Sequence, residues 1–329
     1  MSAPTDALTS WHGPWRGHRA LVVGLDAICF SVLDTLTELG VEVTAVAERA
    51  DSDLIGIVDV LGQRSVIEPE PGARSRAAEQ ARADFVVVGP DTPPDDPAVM
   101  AARGLGWPVW SDVDFAWRVR DKIAPVAPWV LVGGERNAGT TIDLAARILL
   151  ADHRVVGVAD QATPVLDLIR DPVGYEVLLV QAPPSASTWW ARYDQAQREP
   201  LVSVCSEGEG AAELSVIYEG TQLACVYWRD GGPTEGWVEA AEVVDGARAI
   251  GLTAGSPGMS ELGLVEGIVV DRAFLEDRKN QALEISTLDE LAEAGWELPD
   301  DFPAVIAAIA IARALEVSPE LIAGVVSLP

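Results

Sequence analysis

Apolar positions along this chain switch between short contiguous runs and longer stretches in which they recur at helical spacing. The run Ala20-Leu-Val-Val-Gly24 predicts a buried strand, and the stretch from Cys29 to Leu39 predicts a helix. Glu42 to Ala47 is β-branched and alternating, and Asp84 to Gly89 supplies a further strand. A short strand around Trp107-Pro-Val-Trp110 leads into a polar helical stretch, Ser111 to Lys122. Strands alternating with helices in this way predict a parallel sheet with helical crossovers. The Pro-rich stretch 123–128 marks a boundary, so the expected domains are 1–125 and 126–329.

Beyond that boundary the pattern restarts. Trp129 to Gly134 reads as a strand ending in a glycine turn. A helix follows from about Thr140 to Ala151, with Ile142, Ala145, Ile148 and Leu149 on one face. Arg154 to Val158 and Glu176 to Val180 are buried-type strands, and from Val202 onward the chain reads as β-rich and hairpin-like. Glu266-Gly267 sits where a tight turn is expected within Leu264 to Val270. Two helices close the chain, one near Pro303 and one opening at Ser318-Pro319-Glu320, a cap followed by proline and an acid. The chain carries no internal repeat.

Charge changes the picture more than size does. The 329 residues have room for about two domains of roughly 100–200 residues each. With 51 Asp+Glu against 23 Lys+Arg, the formal charge of −28 repels polyanions, which argues against nucleic acid or an anionic membrane as partner. No apolar run reaches the roughly 20 residues that span a bilayer. The N-terminus carries Asp6 and lacks an apolar leader core, and Cys29, Cys205 and Cys225 are too scattered for a disulfide framework. His12, His18 and His153 are equally dispersed, so no metal site is expected, and the chain reads as cytoplasmic.

Two glycine turns carry the candidate chemistry. Gly24-Leu-Asp-Ala-Ile-Cys29 stands where a dinucleotide or sugar-nucleotide fold brings backbone against a diphosphate over a helix N-terminus. The second and third glycine positions hold Asp26 and Cys29, and an aspartate there opposes an incoming diphosphate. At the tip of the next strand, Glu48 suits a ribose hydroxyl and Arg49 a uracil or phosphate, although a solvated strand end accounts for both equally well. The second turn, Gly133-Gly-Glu-Arg-Asn-Ala-Gly-Thr-Thr141, follows an apolar strand, opens a helix and ends in two threonines, the layout of an ATP-binding phosphate loop. A working loop needs a lysine before the threonines, and that position holds Ala138 or Gly139. Lys122 and Lys279 are the only lysines in the chain, and Arg136 has the wrong geometry to replace a buried point charge.

That loop, followed by Tyr175 to Gln181 and Ile217 to Val226, resembles the Mur ligase family, in particular its actinobacterial D-glutamate-adding type. Trp107 to Arg120, Ala249 to Thr253 and Asp271 to Phe274 extend the resemblance over nearly the whole chain. It implies an α/β architecture: a Rossmann-like domain for a UDP-sugar, then a central ATPase-like domain, with the family's C-terminal ligase domain, which would begin near Pro329, expected to be absent. The candidate UDP-sugar residues are Ala27, Ile28, Glu48, Arg49, Gly89 and Pro90. The degenerate phosphate loop comprises Gly134, Arg136, Asn137, Ala138, Gly139, Thr140 and Thr141.

Departures from the family pattern are coordinated. Its Mg²⁺-binding glutamate falls on Gln181, followed by Ala182-Pro183-Pro184, and its His/Asp segment and carbamylated lysine fall on Ser206 to Ser215, which has neither His nor Lys. Added carboxylates stand at Glu135, Asp160, Asp300 and Asp301. The resemblance therefore implies a pseudoenzyme linked to peptidoglycan precursor synthesis, using neither ATP nor Mg²⁺, with a protein partner and at most weak recognition of a UDP-muramoyl ligand. The alternatives are a divergent ligase completed by a partner chain and a nucleotide-sugar or dinucleotide sensor. Eleven tryptophans, among them Trp189, Trp190, Trp228, Trp237 and Trp296, are expected to pack internally, whereas an exposed cluster would suit an interface.

Overall fold

The computed structural model describes residues 4–134, 136–182, 189–190, 198–205 and 212–328. Its contacts divide the chain into two compact units, one formed by 1–126, 159–174 and 188–197, the other by 127–158, 175–187 and 198–329. The division falls between Val126 and Ala127, but two later segments return to the first unit, so neither unit is one continuous stretch.

In the first unit the order is β1 (Arg19–Val23), α1 (Ala27–Glu38), β2 (Glu42–Ala47), α2 (Ser52–Val60), β3 (Arg64–Ile67), α3 (Pro71–Ala81), β4 (Phe85–Val88), α4 (Pro97–Gly104), β5 (Val109–Ser111) and α5 (Asp112–Val119). The strands form a parallel sheet in the order β3-β2-β1-β4-β5. Helix α1 starts at Ala27, two residues before its apolar periodicity does, because the Asp26 side chain caps it. Helix α5 stops at Val119, short of the expected Lys122. Four elements lie outside the expected pattern: α2, β3, α3 and α4. Helix α3 buries only Arg74 and Ala78 and is set instead by the Glu70 cap and Pro71 in its first turn. The core is aromatic, with Trp15 edge-on to Phe85, Trp110 and Phe115, and Arg118 over the Trp110 ring at 4.2 Å.

The second unit contains β6 (Trp129–Gly133), α6 (Ala138–Ala151), β7 (Val156–Ala159), β8 (Val177–Ala182), β9 (Val202–Cys205), β10 (Ala224–Trp228), β11 (Arg248–Leu252), β12 (Glu261–Val265), β13 (Ile268–Asp271) and β14 (Leu283–Thr287). Between β7 and β8 the chain forms α7 (Val165–Arg170), which belongs to the first unit. There Arg170 pairs with Asp34 and Glu38 of α1, and Ser31 donates to Asp167 at 2.6 Å. Further helices among the described residues are α8 (Thr234–Ala240), α9 (Leu288–Glu293), α10 (Phe302–Ala314) and α11 (Pro319–Val326).

The nine described strands run in the order β14-β13-β12-β11-β10-β9-β6-β8-β7. The hairpin-like reading of everything after Val202 is corrected here, because β9, β10, β11 and β12 pair in parallel and only β12–β13 and β13–β14 are antiparallel. Strands buried on both faces read as plain apolar runs, which do not reveal direction. The one hairpin turn foreseen is present, with positive φ at Glu266 and Gly267. Helix α10 is apolar on all sides, and it packs on α6 and on strands β9 to β12 as the centre of this unit.

Candidate functional site

Two places collect the candidate residues, one in each unit. In the first, a cavity of about 560 Å³ opens at the C-terminal ends of β1 and β2 and beside the turn after β4. This is where the strand order reverses, the place at which open α/β sheets bind ligands. Glu48 and Arg49 line it, whereas Ala27, Ile28, Gly89 and Pro90 do not contribute to its wall. Their neighbours Asp26, Asp91, Thr92 and Pro93 do so instead.

The glycine turn after β1 is built tightly. Gly24 has φ +111°, and a Cβ there would stand 2.7 Å from the Cys29 sulfur. A Cβ on Gly89 would meet the same sulfur at 2.5 Å. The cysteine at the third glycine position therefore packs only because two glycines face it. Burial pushes its thiol well above the usual range, reinforced by the carboxylates of Asp26 and Asp112.

Charge around the cavity is mostly negative. Asp26, Glu48, Asp51, Asp91 and Asp96 face Arg49 and Arg74. Arg74 is buried, donates to the carbonyls of Glu68 and Pro69, and lies 3.7 Å from Asp96 and 3.9 Å from Glu48. Sequence reading overlooked Asp51, Arg74 and Asp96, although Asp51-Ser52 and Asp96-Pro97 are recognisable helix starts.

In the second unit the phosphate-loop segment sits at the end of β6. Gly134 adopts φ +136°, helix α6 opens at Ala138, and the amide of Thr141 bonds to the Asn137 carbonyl at 2.9 Å. Arg136 and Gly139 are exposed, Ala138 is buried, and the buried Thr141 hydroxyl has no hydrogen-bond partner among the described residues. Gln181 lies on β8 opposite Val132, one residue from the loop, so the tertiary pairing does bring it beside the phosphate-loop strand. A Cβ on Gly133 would stand 2.9 Å from Ile217 and 3.2 Å from Leu214, so the short helical turn 212–218 closes tightly on the strand end. Glu135, Pro183, Pro184 and 206–211 lie outside the described residues.

Two of the added acids settle locally. Asp160 accepts from the amides of Ala162 and Thr163, and Asp301 from that of Glu297. Trp189 and Trp190 are buried in the first unit, donating to the Thr92 carbonyl and the Ser111 hydroxyl, and Trp228, Trp237 and Trp296 are half-buried; these five form no exposed cluster. No His/Cys/Asp/Glu group suited to a metal occurs among the described residues, and none of their helices is long and apolar enough to cross a membrane.

No family model matches the chain. It is 40% identical, over 98% of its length, to the UDP-N-acetylmuramoylalanine–D-glutamate ligase of Leifsonia xyli subsp. xyli, of which it covers 66%. It is 34% identical, over 95% of its length, to the enzyme of that name from Tropheryma whipplei strain Twist, covering 67% of it. The chain thus spans about two thirds of the length of these relatives. Among solved structures, a Neisseria meningitides UDP-N-acetylmuramate:L-alanyl-gamma-D-glutamyl-meso-diaminopimelate ligase aligns with TM-score 0.53 at 12% identity, covering 94% of this chain and 97% of that one. A murein peptide ligase from Psychrobacter arcticus aligns with TM-score 0.52 at 13% identity, covering 94% and 68%, and both likenesses concern the fold alone. On its sequence relatives, the chain belongs to the Mur ligase family, beside the D-glutamate ligases.

Proposed function

We propose that this chain is a non-catalytic member of its family, serving peptidoglycan precursor synthesis as a binding or regulatory protein with a protein partner. Recognition of a UDP-muramoyl ligand is at most weak in this reading. The observation that supports it is the pairing of β6 with β8, which brings Gln181 beside the strand of a loop that holds Ala138 or Gly139 at the expected lysine position. Phosphoryl transfer depends on positioning and on neutralising charge around the phosphates. A bare glycine supplies no cation, and a neutral amide is a poor ligand for a hard divalent ion that favours carboxylate oxygen. The residues present therefore do not fit Mg·ATP.

Calorimetric titration with Mg·ATP, paired with an assay for ATP-dependent addition of D-glutamate to UDP-N-acetylmuramoyl-L-alanine, tests this reading. The expected result is no saturable ATP binding and no ligation. Ligation by the purified chain would overturn it. Micromolar Mg·ATP affinity without turnover would favour the other reading, a divergent ligase completed by a partner chain.

A further inference from the structure

We infer that Asp26 is a built-in substitute for a phosphate and makes the first unit's cavity discriminate against nucleoside diphosphates. The inference rests on the weak UDP-muramoyl recognition proposed above and concerns the first unit alone, so its failure would leave the non-catalytic reading of the second unit standing.

The N-terminus of a helix at a strand-order reversal offers free amides to an anion. Here the amide of Cys29 is taken by Asp26 Oδ1 at 2.8 Å. The other oxygen, Oδ2, lies 3.8 Å from where a Cβ on Gly89 would stand, so the carboxylate fills the gap between the turns after β1 and β4. Two further helices that begin at the cavity are closed in the same way. Asp51 accepts from the amide of Asp53 at the start of α2, and Asp96 from that of Ala98 at the start of α4. Each of these helix ends already carries a full negative charge against its positive dipole end. The two cations of the wall, Arg49 and Arg74, do not restore the balance against five carboxylates, and the terminal nitrogens of Arg74 are already engaged by Asp96, Glu48 and two carbonyls. A diphosphate entering here meets like charge at the position where it would otherwise find donors.

Two substitutions separate the charge from the space it fills. Asp26→Asn keeps a capping acceptor without the charge, and Asp26→Gly empties the turn. UDP and inorganic diphosphate are titrated calorimetrically into the wild-type chain and both variants, with circular dichroism melts confirming that each is folded. The wild type should show no saturable binding at millimolar UDP. Both variants should bind UDP at least about tenfold more tightly than the wild type, with Asp26→Gly the tighter. Micromolar UDP binding by the wild type would overturn the proposal, as would variants that bind no better than it does.

Discussion

Arg313 on α10 donates its Nε–H to the fully buried Asp271 carboxylate on β13 at 2.9 Å. The second Asp271 oxygen accepts from the amides of Ala273 and Phe274, and the remaining Arg313 donors reach the carbonyls of Val317 and Phe274. One ion pair with its bonds satisfied thus fastens the most buried helix of the second unit to an antiparallel strand near its edge. A pair of this kind contributes little net stability over an apolar replacement, but breaking it from one side leaves a charge stranded.

Replacing Arg313 alone by Met should cost about 3–5 kcal/mol, because the buried Asp271 carboxylate loses its cationic partner. Adding Asp271→Asn to that variant should recover part of the loss. Urea denaturation of the two single variants and the double variant measures the coupling, and strict additivity would show that the two residues act independently.

Restoring the missing phosphate-loop lysine should not restore chemistry. A side chain on Gly139 would meet nothing within 4 Å of its Cβ, so Gly139→Lys fits and should leave the melting temperature unchanged or higher. Ligation should still be absent, in the single variant and in Gly139→Lys combined with Gln181→Glu. Turnover by either variant would mean that the remaining framework is still catalytically organised.

Asp112, in the first turn of α5, has one carboxyl oxygen buried without a hydrogen-bond partner among the described residues. Burial pushes its pKa up to about 7, helped by the Asp114 and Asp26 carboxylates and opposed by the amide of Val113. The folded chain therefore holds this proton up to about pH 7, whereas an unfolded carboxyl releases it near about pH 4. Between those values the unfolded chain binds fewer protons, so this group's contribution makes stability fall as pH rises. Melting temperatures from pH 5 to pH 8 should decline less steeply in Asp112→Asn than in the wild type.

All three thiols should be silent in the native protein. Cys29, Cys205 and Cys225 are buried, and burial pushes Cys225 up to about 11, with Glu219 adding to the effect and a Thr221 hydrogen bond opposing it. Labelling with a chromogenic disulfide reagent at pH 8 should be slow without denaturant and reach three equivalents per chain once the protein is unfolded.

Legibility in the sequence followed the range of the interactions involved. The turn at Glu266-Gly267 and the cap at Ser318 were readable because each is decided by bonds within a few residues. Helix α3 was missed because it buries too little apolar surface to show a period, and its start depends on one carboxylate and one proline. The direction of β10 and β11 was misread because their partners lie about twenty residues away in sequence, and an apolar run looks the same in either sense.

What the sequence determined by itself was chemical identity at single positions: no lysine between Lys122 and Lys279, a neutral amide at Gln181, and aspartate or glutamate just ahead of helices α1 to α4. Only the tertiary structure decided that Asp26, Asp51 and Asp96 ring one cavity, that Arg74 is held within its wall, and that Gln181 faces the strand of the phosphate loop. The reason is physical. A cap or turn is closed by neighbours along the chain, whereas a cavity and a strand register exist only once distant segments have paired and excluded water between them.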